Sequence, residues 1–403
     1  MKRSRRSSRS QSLKSKRITF RVPLAWRQLS YQKSRFLMAS LGISSAIILM
    51  FVQLGFMGAL NESNTVLHQH LRGDLVMLDA KTQALVLANT FSRQRLYQLL
   101  NFKEVEDISP IYLKTGVFRN PKTGESRTIA IYGINPIEQP FEFPELDQDI
   151  QHIYLTDTVL FDRGSTSEYG PIEADFESGD DVFIELNDQR IRVGEIITFT
   201  GTSFGITGSV VTSDKNFARL FPELSHLDQA AIGVVRLQPG LDADEVASTL
   251  RKHLPSDVVL LTADEFIQKE YAYWQGTTAV GFIFQMGAAV GFLIGMYIVY
   301  QVLFTDVANH IPDYAILKSK GYPSSYFLSL VIQESLILSI SSYIPGYICA
   351  IGLYKLVQIG TKLPAFMTLE RAILVLILTF SMSLFAGFLV MRKLKDSDPA
   401  DLF

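Results

Sequence analysis

The chain has 403 residues, 47% hydrophobic and 19% charged, with a formal net charge of −2. This balance argues against a globally basic nucleic-acid binder. The single cysteine, Cys349, excludes a disulfide framework.

Every charged side chain before Glu62 is basic. That bias predicts a cytoplasmic N-terminus and a cytoplasmic tail over residues 1–35. The first part of the tail is expected to be disordered. Further on, Pro23, Ala25, Trp26 and Leu29 share one face of a short interfacial helix, with Arg27, Lys33 and Arg35 available to phosphates. A Ser/Arg-rich segment tethered beside a bilayer favours anionic lipid over nucleic acid.

About 20 apolar residues cross ~30 Å of hydrocarbon, and four runs satisfy this: residues 36–60, 275–305, 326–354 and 372–391. A cleaved signal peptide is the competing reading of the first, but its apolar core would span only ~7–15 residues. Four crossings return residues 392–403 to the cytoplasm, where Arg392, Lys393 and Lys395 agree with the count. Residues 61–273 then lie outside, and 355–371 form a short outer loop. An exported domain of this size supports its own core without disulfides.

The domain is predicted to be mixed α/β. Strands at 74–79, 105–118 and 127–134 and a helix at 92–100 give β-α-β-β; a strand at 231–237, a helix at 242–254 and a strand at 258–261 complement it. Together they predict a split ferredoxin-like layer. The glycine-dense stretch 161–214 between them is expected to be an inserted small β subdomain. Thr262 and Glu265 form a capping box, and the helix they open is expected to continue into the second membrane helix as one rod.

Catalytic patterns are poor. His68, His70, His152, His226, His253 and His310 are scattered, and no metal site is predicted. Residues 201–208, GTSFGITG, have the glycines of a phosphate loop but lack its lysine and following helix. Neither G-x-S-x-G nor H-E-x-x-H occurs. The chain is therefore expected to be no enzyme and to bind no cofactor of its own.

Three membrane features carry information. Gly287, Gly291 and Gly295 recur at four-residue spacing on one helix face, which suits either a dimer seam or close packing within one chain. Glu334 is an intramembrane acid, costly unless neutral or paired, with a functional role and a structural hydrogen bond both open. The connection 306–325 holds Tyr314, Ala315, Ile316, Leu317, Lys318, Lys320 and Gly321 in a short, partly apolar segment. It suits docking into a partner's groove, or is simply an interfacial turn.

With these blocks in view, the chain resembles the FtsX/MacB superfamily of type VII ABC-transporter permeases. The resemblance lies in the 1+3 helix order, AILKSKGY after the second helix, and Asp398-Pro399-Ala400-Asp401 near the C-terminus. PLAWRQLSYQKSR, FSRQRLYQLL, YIVYQVLFTDVANHIPDYAILKSKGY, QESLIL and RKLKDSDPADLF are similar to its cyanobacterial DevC branch. The resemblance implies a homodimer in the bacterial inner membrane, a separate ABC ATPase supplying ATP and Mg chemistry, a periplasmic adaptor and a TolC-like outer-membrane protein. It implies mechanotransmission, in which ATP-driven dimer closure drives periplasmic domains to expel lipid-like cargo, glycolipid in the DevC type. It also implies that the segment around Ala315, Ile316, Leu317 and Lys318 is the coupling helix. An FtsX-like regulator of cell-wall hydrolases and a lipoprotein-releasing permease are the alternatives.

Overall fold

A computed structural model describes residues 33–179, 181–224 and 226–396. Most of the basic tail, its interfacial helix from Val22 to residue 32, and Asp398-Pro399-Ala400-Asp401 lie outside the described residues. Four helices are long and apolar enough to cross a membrane, one before the α/β domain and three after it. The chain divides into two compact units, one drawing on residues 33–44, 295–342 and 379–396, the other on residues 45–294 and 343–378.

The second unit holds the α/β domain. The first apolar helix, α1 (Lys33–Gln69), runs nine residues beyond its hydrophobic stretch into this domain. Polar side chains there turn back onto their own helix. Asn64 Nδ2 donates to the Leu60 carbonyl at 2.7 Å and Thr65 Oγ1 to that of Asn61 at 2.9 Å, while Leu67 and His68 are buried against the domain.

Nine strands follow in the order β11-β1-β10-β3-β4-β8-β5-β7-β6. They are β1 (Leu75–Asp79), β3 (Val105–Arg119), β4 (Ser126–Ile134), β5 (Thr158–Asp162), β6 (Phe183–Leu186), β7 (Gln189–Ile197), β8 (Ser209–Ser213), β10 (Ile232–Leu237) and β11 (Val258–Thr262). The short strands β2 (Phe91–Ser92) and β9 (Gln229–Ala230) pair separately. In the β11-β1-β10-β3 portion every neighbouring pair is antiparallel. The period-2 alternation sends Leu75 and Met77 to one face, where they meet α2 (Arg93–Tyr97) and α6 (Ala243–Leu250). It sends Val76 and Leu78 to the other face, where Leu67 of α1 and Phe266 of α7 (Ala263–Ala272) pack. Both faces are covered, so β1 reads as a continuous apolar run.

The glycine-dense insertion is not a sheet apart. At 15 residues, roughly 50 Å, β3 is long enough to serve both halves. Its far end pairs with β6, Phe118 opposite Leu186, so β3, β4, β8, β5, β7 and β6 close on themselves. The enclosed core takes Phe118, Ile129 and Ile131 from β3 and β4, Phe161, Tyr169 and Val193 from the insertion, and Phe217 from the helix that follows it. Helices α3 (Pro144–Asp149), α4 (Ile172–Glu177) and α5 (Asp214–Leu220) complete the domain.

The expected rod is corrected: it is broken. The capping box forms, with Thr262 Oγ1 accepting from Glu265 N–H and the Glu265 carboxylate from Thr262 N–H. After α7 the chain makes a π-helical turn over Tyr273–Thr277, then Thr278 is extended (φ −90°, ψ 146°). The second membrane helix, α8 (Ala279–Asn309), begins afresh. Thr278 Oγ1 caps it, accepting from Gly281 N–H at 3.2 Å. A β-carbon at Gly281 would lie 2.3 Å from the Trp274 carbonyl oxygen, so the offset return of the chain needs glycine there.

Beyond α8 come α9 (Ile311–Ser319), α10 (Ser324–Thr361) and α11 (Leu369–Asp396). The connection expected over residues 355–371 is therefore shorter, because α10 continues for seven residues after Tyr354.

Candidate functional site

The expected coupling segment is a two-turn helix, α9. Pro312 and Asp313 lie in its first turn, where proline loses no bond and an acid complements the helix dipole. Its end is a Schellman motif. Gly321 N–H donates to the Lys318 carbonyl at 3.0 Å and Tyr322 N–H to that of Leu317 at 3.3 Å, with Gly321 left-handed at φ +93°. Tyr314 turns inward and is buried, its ring 5.2 Å from that of Phe327. Ala315 and Leu317 are half-buried, whereas Ile316, Lys318, Lys320 and Gly321 are exposed. Tyr322 adds an exposed ring 5.0 Å from Tyr326. The presented face is thus Ile316, Tyr322 and Tyr326 beside two lysines. Tyr322 closes the AILKSKGY segment, whereas Tyr326 lies beyond the 306–325 connection, at the start of the next apolar run.

Glu334 is fully buried in α10 and, among the described residues, neither carboxyl oxygen has a hydrogen-bond partner. The structural hydrogen bond weighed for it is not made. Its polar neighbours in sequence bond elsewhere: Ser335 Oγ donates to the Ile332 carbonyl at 2.9 Å, and Ser339 Oγ to Ser383 Oγ at 2.6 Å.

Two of the three glycines face the first helix of their own chain. A β-carbon at Gly287 would come within 2.4 Å of the Gln53 side chain, and one at Gly291 within 3.0 Å of Met50 Cγ and 3.4 Å of the Ala46 carbonyl. Gly295 is buried. The dimer-seam reading of Gly287 and Gly291 gives way to packing within one subunit, since α1 fills the groove their missing side chains leave. Unforeseen partners do the same from α1: Gly55 seats the Tyr354 ring and Gly58 the Arg371 guanidinium. Tyr354 Oη donates to the Phe51 carbonyl.

A junction surrounds the break between α7 and α8. Glu270, buried, accepts from Leu85 N–H at 3.0 Å and Trp274 Nε1 at 2.8 Å, with His68 Nε2 of α1 3.3 Å away. The glycine-rich loop 201–208 sits on this junction. Phe204 meets Phe284 of α8 edge-on at 5.9 Å, and Gly205 lies against Trp274. The loop is organised by buried Asp162, whose carboxylate accepts from the N–H groups of Phe199, Gly201 and Gly164 and from Ser209 Oγ. Burial pushes the Asp162 carboxyl up from its ordinary range against the pull of those four donors. Burial likewise pushes the Tyr132 hydroxyl up, aided by Asp162 and Glu270. These glycines serve close packing: a β-carbon at Gly164 would strike Gly201 Cα at 2.4 Å, and one at Gly208 the Tyr169 ring at the same distance. The backbone donors of a phosphate cradle are spent here on an internal carboxylate.

Residues 286–399 match the family described as FtsX-like permease C-terminal. That match spans most of α8, all of α9 and α10, and α11. No curated protein sequence matches the chain. Among solved structures, the chain is similar to the periplasmic region of MacB from Actinobacillus actinomycetemcomitans, at 11% identity and TM-score 0.34 over 49% of this chain and 92% of that one. It is also similar to the extracellular domain of the noncanonic ABC-type transporter YknZ from Gram-positive bacteria, at 11% identity and TM-score 0.30 over 47% and 99%. A domain of a putative permease protein from Porphyromonas gingivalis aligns at 14% identity and TM-score 0.29 over 48% and 89%.

Proposed function

We propose that the protein is the permease subunit of an ABC-type transporter in the bacterial inner membrane, working as a homodimer with a separate ATPase. The observation that carries this is the FtsX-like permease match over residues 286–399, a segment containing a helix that presents Ile316 and two lysines outward. In this reading α9 is the coupling helix, ATP and Mg act through the partner, and this chain binds neither. The β11-β1-β10-β3 portion is a ferredoxin-like layer of a periplasmic domain that meets an adaptor and a TolC-like duct. Dimer closure reaches that domain by mechanotransmission through the junction at Glu270 and Trp274 and expels lipid-like cargo of the DevC type. Because Gly287 and Gly291 are used inside the subunit, a second copy meets the opposite face of α8, where Phe282, Met286 and Leu293 are exposed.

The test is affinity purification of the full chain from its native membrane after mild crosslinking. Recovery of an ABC ATPase with an adaptor supports the proposal. Recovery of a cell-wall hydrolase without an adaptor replaces it with the regulator reading, and acylated protein as the bound cargo replaces it with lipoprotein release.

A further inference from the structure

We infer that Asp149, His152 and Glu195 form a zinc-class divalent-cation site on the α/β domain. Asp149 and His152 are three residues apart, and the fold brings Glu195 to them from more than forty positions further along the chain. Asp149 ends α3 and His152 follows within the next 3-10 turn, so the two share a side. Glu195 comes from β7, where pairing with β5 slips by one residue: Val159 faces Val193 but Leu160 faces Glu195, leaving Gly194 as a bulge. Bulges re-aim the neighbouring side chain. Only glycine fits at this one, since a β-carbon would lie 2.7 Å from Thr158 Cγ2 and 3.1 Å from His152 Cβ. His152 therefore packs directly on the bulge with Glu195 beside it, and one ligand atom from each of the three residues lies within 4.8 Å of the others.

Two observations separate this group from an ordinary surface cluster. His152 Nδ1 is shielded from solvent and has no hydrogen-bond partner among the described residues, its approach to Asp149 Oδ1 being 4.0 Å, too long for a hydrogen bond. Among the described residues no lysine or arginine forms an ion pair with Asp149 or Glu195, although Glu145, Asp157, Glu173 and Asp181 nearby in the chain all have arginine partners. Two carboxylates and an imidazole nitrogen are thus gathered with no cation among them. A bound ion needs ligand distances of ~2.0–2.2 Å, which modest torsions of the Asp149 and Glu195 side chains supply. The mixed nitrogen and oxygen set suits zinc or manganese and disfavours magnesium and calcium, which prefer all-oxygen shells. Three protein ligands leave a position for water or a partner's side chain.

The test is zinc titration of the full-length protein in detergent after chelator stripping, read by competition with a chromophoric indicator and by melting temperature. The wild type should take up one zinc per chain and melt higher with it. His152→Ala, Glu195→Gln and Asp149→Asn should each weaken binding at least tenfold and abolish the zinc-dependent rise, while eluting like the wild type without metal. No saturable zinc binding by the wild type, or binding unchanged in His152→Ala and Glu195→Gln, overturns the assignment. Loss in His152→Ala alone overturns the three-ligand set.

Discussion

Trp274 Nε1 donates to Glu270 Oε1 at 2.8 Å one turn before the chain breaks at Thr278. The same carboxylate takes the Leu85 N–H and faces His68 at the end of α1. Two segments that leave the apolar helices therefore converge on one buried acid.

Replacing Glu270 with Ala should destabilise the protein by about 1–3 kcal/mol for each buried donor left without a partner. Trp274→Phe, which removes the indole donor while keeping the acceptor, should cost less. Thermal melts of the purified chain decide this, and equal melting temperatures for wild type and Glu270→Ala would dismiss the junction as a structural hub.

For the coupling helix, Ile316→Asp should abolish co-purification of the ATPase with little change in melting temperature, because Ile316 is 54% exposed. Tyr314→Ala should do the reverse in kind, costing about 3–5 kcal/mol through the buried ring whatever partner is present. Gly321→Ala forces a β-carbon into a left-handed position and should cost about 1 kcal/mol. If Ile316→Asp retains the ATPase in full, the docking face lies elsewhere.

Gly291→Leu should destabilise the single subunit, since the added atoms meet Met50 and the Ala46 carbonyl; overpacking of this kind costs about 1–3 kcal/mol. With Cys349 replaced by Ser, cysteines at Gly287 and Gln53 should crosslink within one chain, and cysteines at Met286 or Leu293 should crosslink between chains. A dimer band from the Gly287 cysteine alone, with none from Met286 or Leu293, would restore the glycine seam.

Asp162 gives a pH signature. Its folded carboxyl holds its proton more tightly than the ordinary value near ~3.9. The folded state therefore binds more protons through this window, and the contribution to stability is complete below ~3.9 and lost as pH rises through the raised value. Glu223, held low by Lys114, acts with the opposite sign. So does Glu265, where partial burial is outweighed by the Thr262 N–H and Arg251. Both are common to wild type and Asp162→Asn. The wild-type melting temperature should thus fall relative to Asp162→Asn as pH rises above ~3.9, on top of any constant offset; parallel curves would reject the assignment.

The apolar runs, the strand alternation of β1, β3, β4 and β10, and the α9 segment were legible because each rests on local periodicity and hydropathy. The break at Thr278 was not: Gln275 to Thr278 carries no charge, so hydropathy joined it to the helix that follows, while the stop comes from the Thr278 cap and the turn around Trp274. Closure of β6 onto β3 pairs residues about 68 positions apart, beyond any local signal. At Gly287 and Gly291 the four-residue spacing falls where another helix comes close, but spacing alone does not say whose helix arrives. Asp149, His152 and Glu195 escaped notice because the third residue reaches the other two only through the bulge at Gly194.

Lys362, left-handed just past the end of α10, donates from Nζ to the carbonyls of Arg163 and Ser165 at 2.9 and 2.8 Å. The domain is therefore held at a third point besides α1 and the Thr278 break. A soluble fragment cut at the hydropathy boundaries, residues 61 and 273, would lose both the lysine clasp and the Trp274 indole, leaving the loop around Asp162 and the carboxylate of Glu270 to find new partners. Fragments meant to report native behaviour should keep Trp274 and be compared with the intact chain by hydrogen exchange at residues 163–165 and 199–208, where release of the clasp would register first.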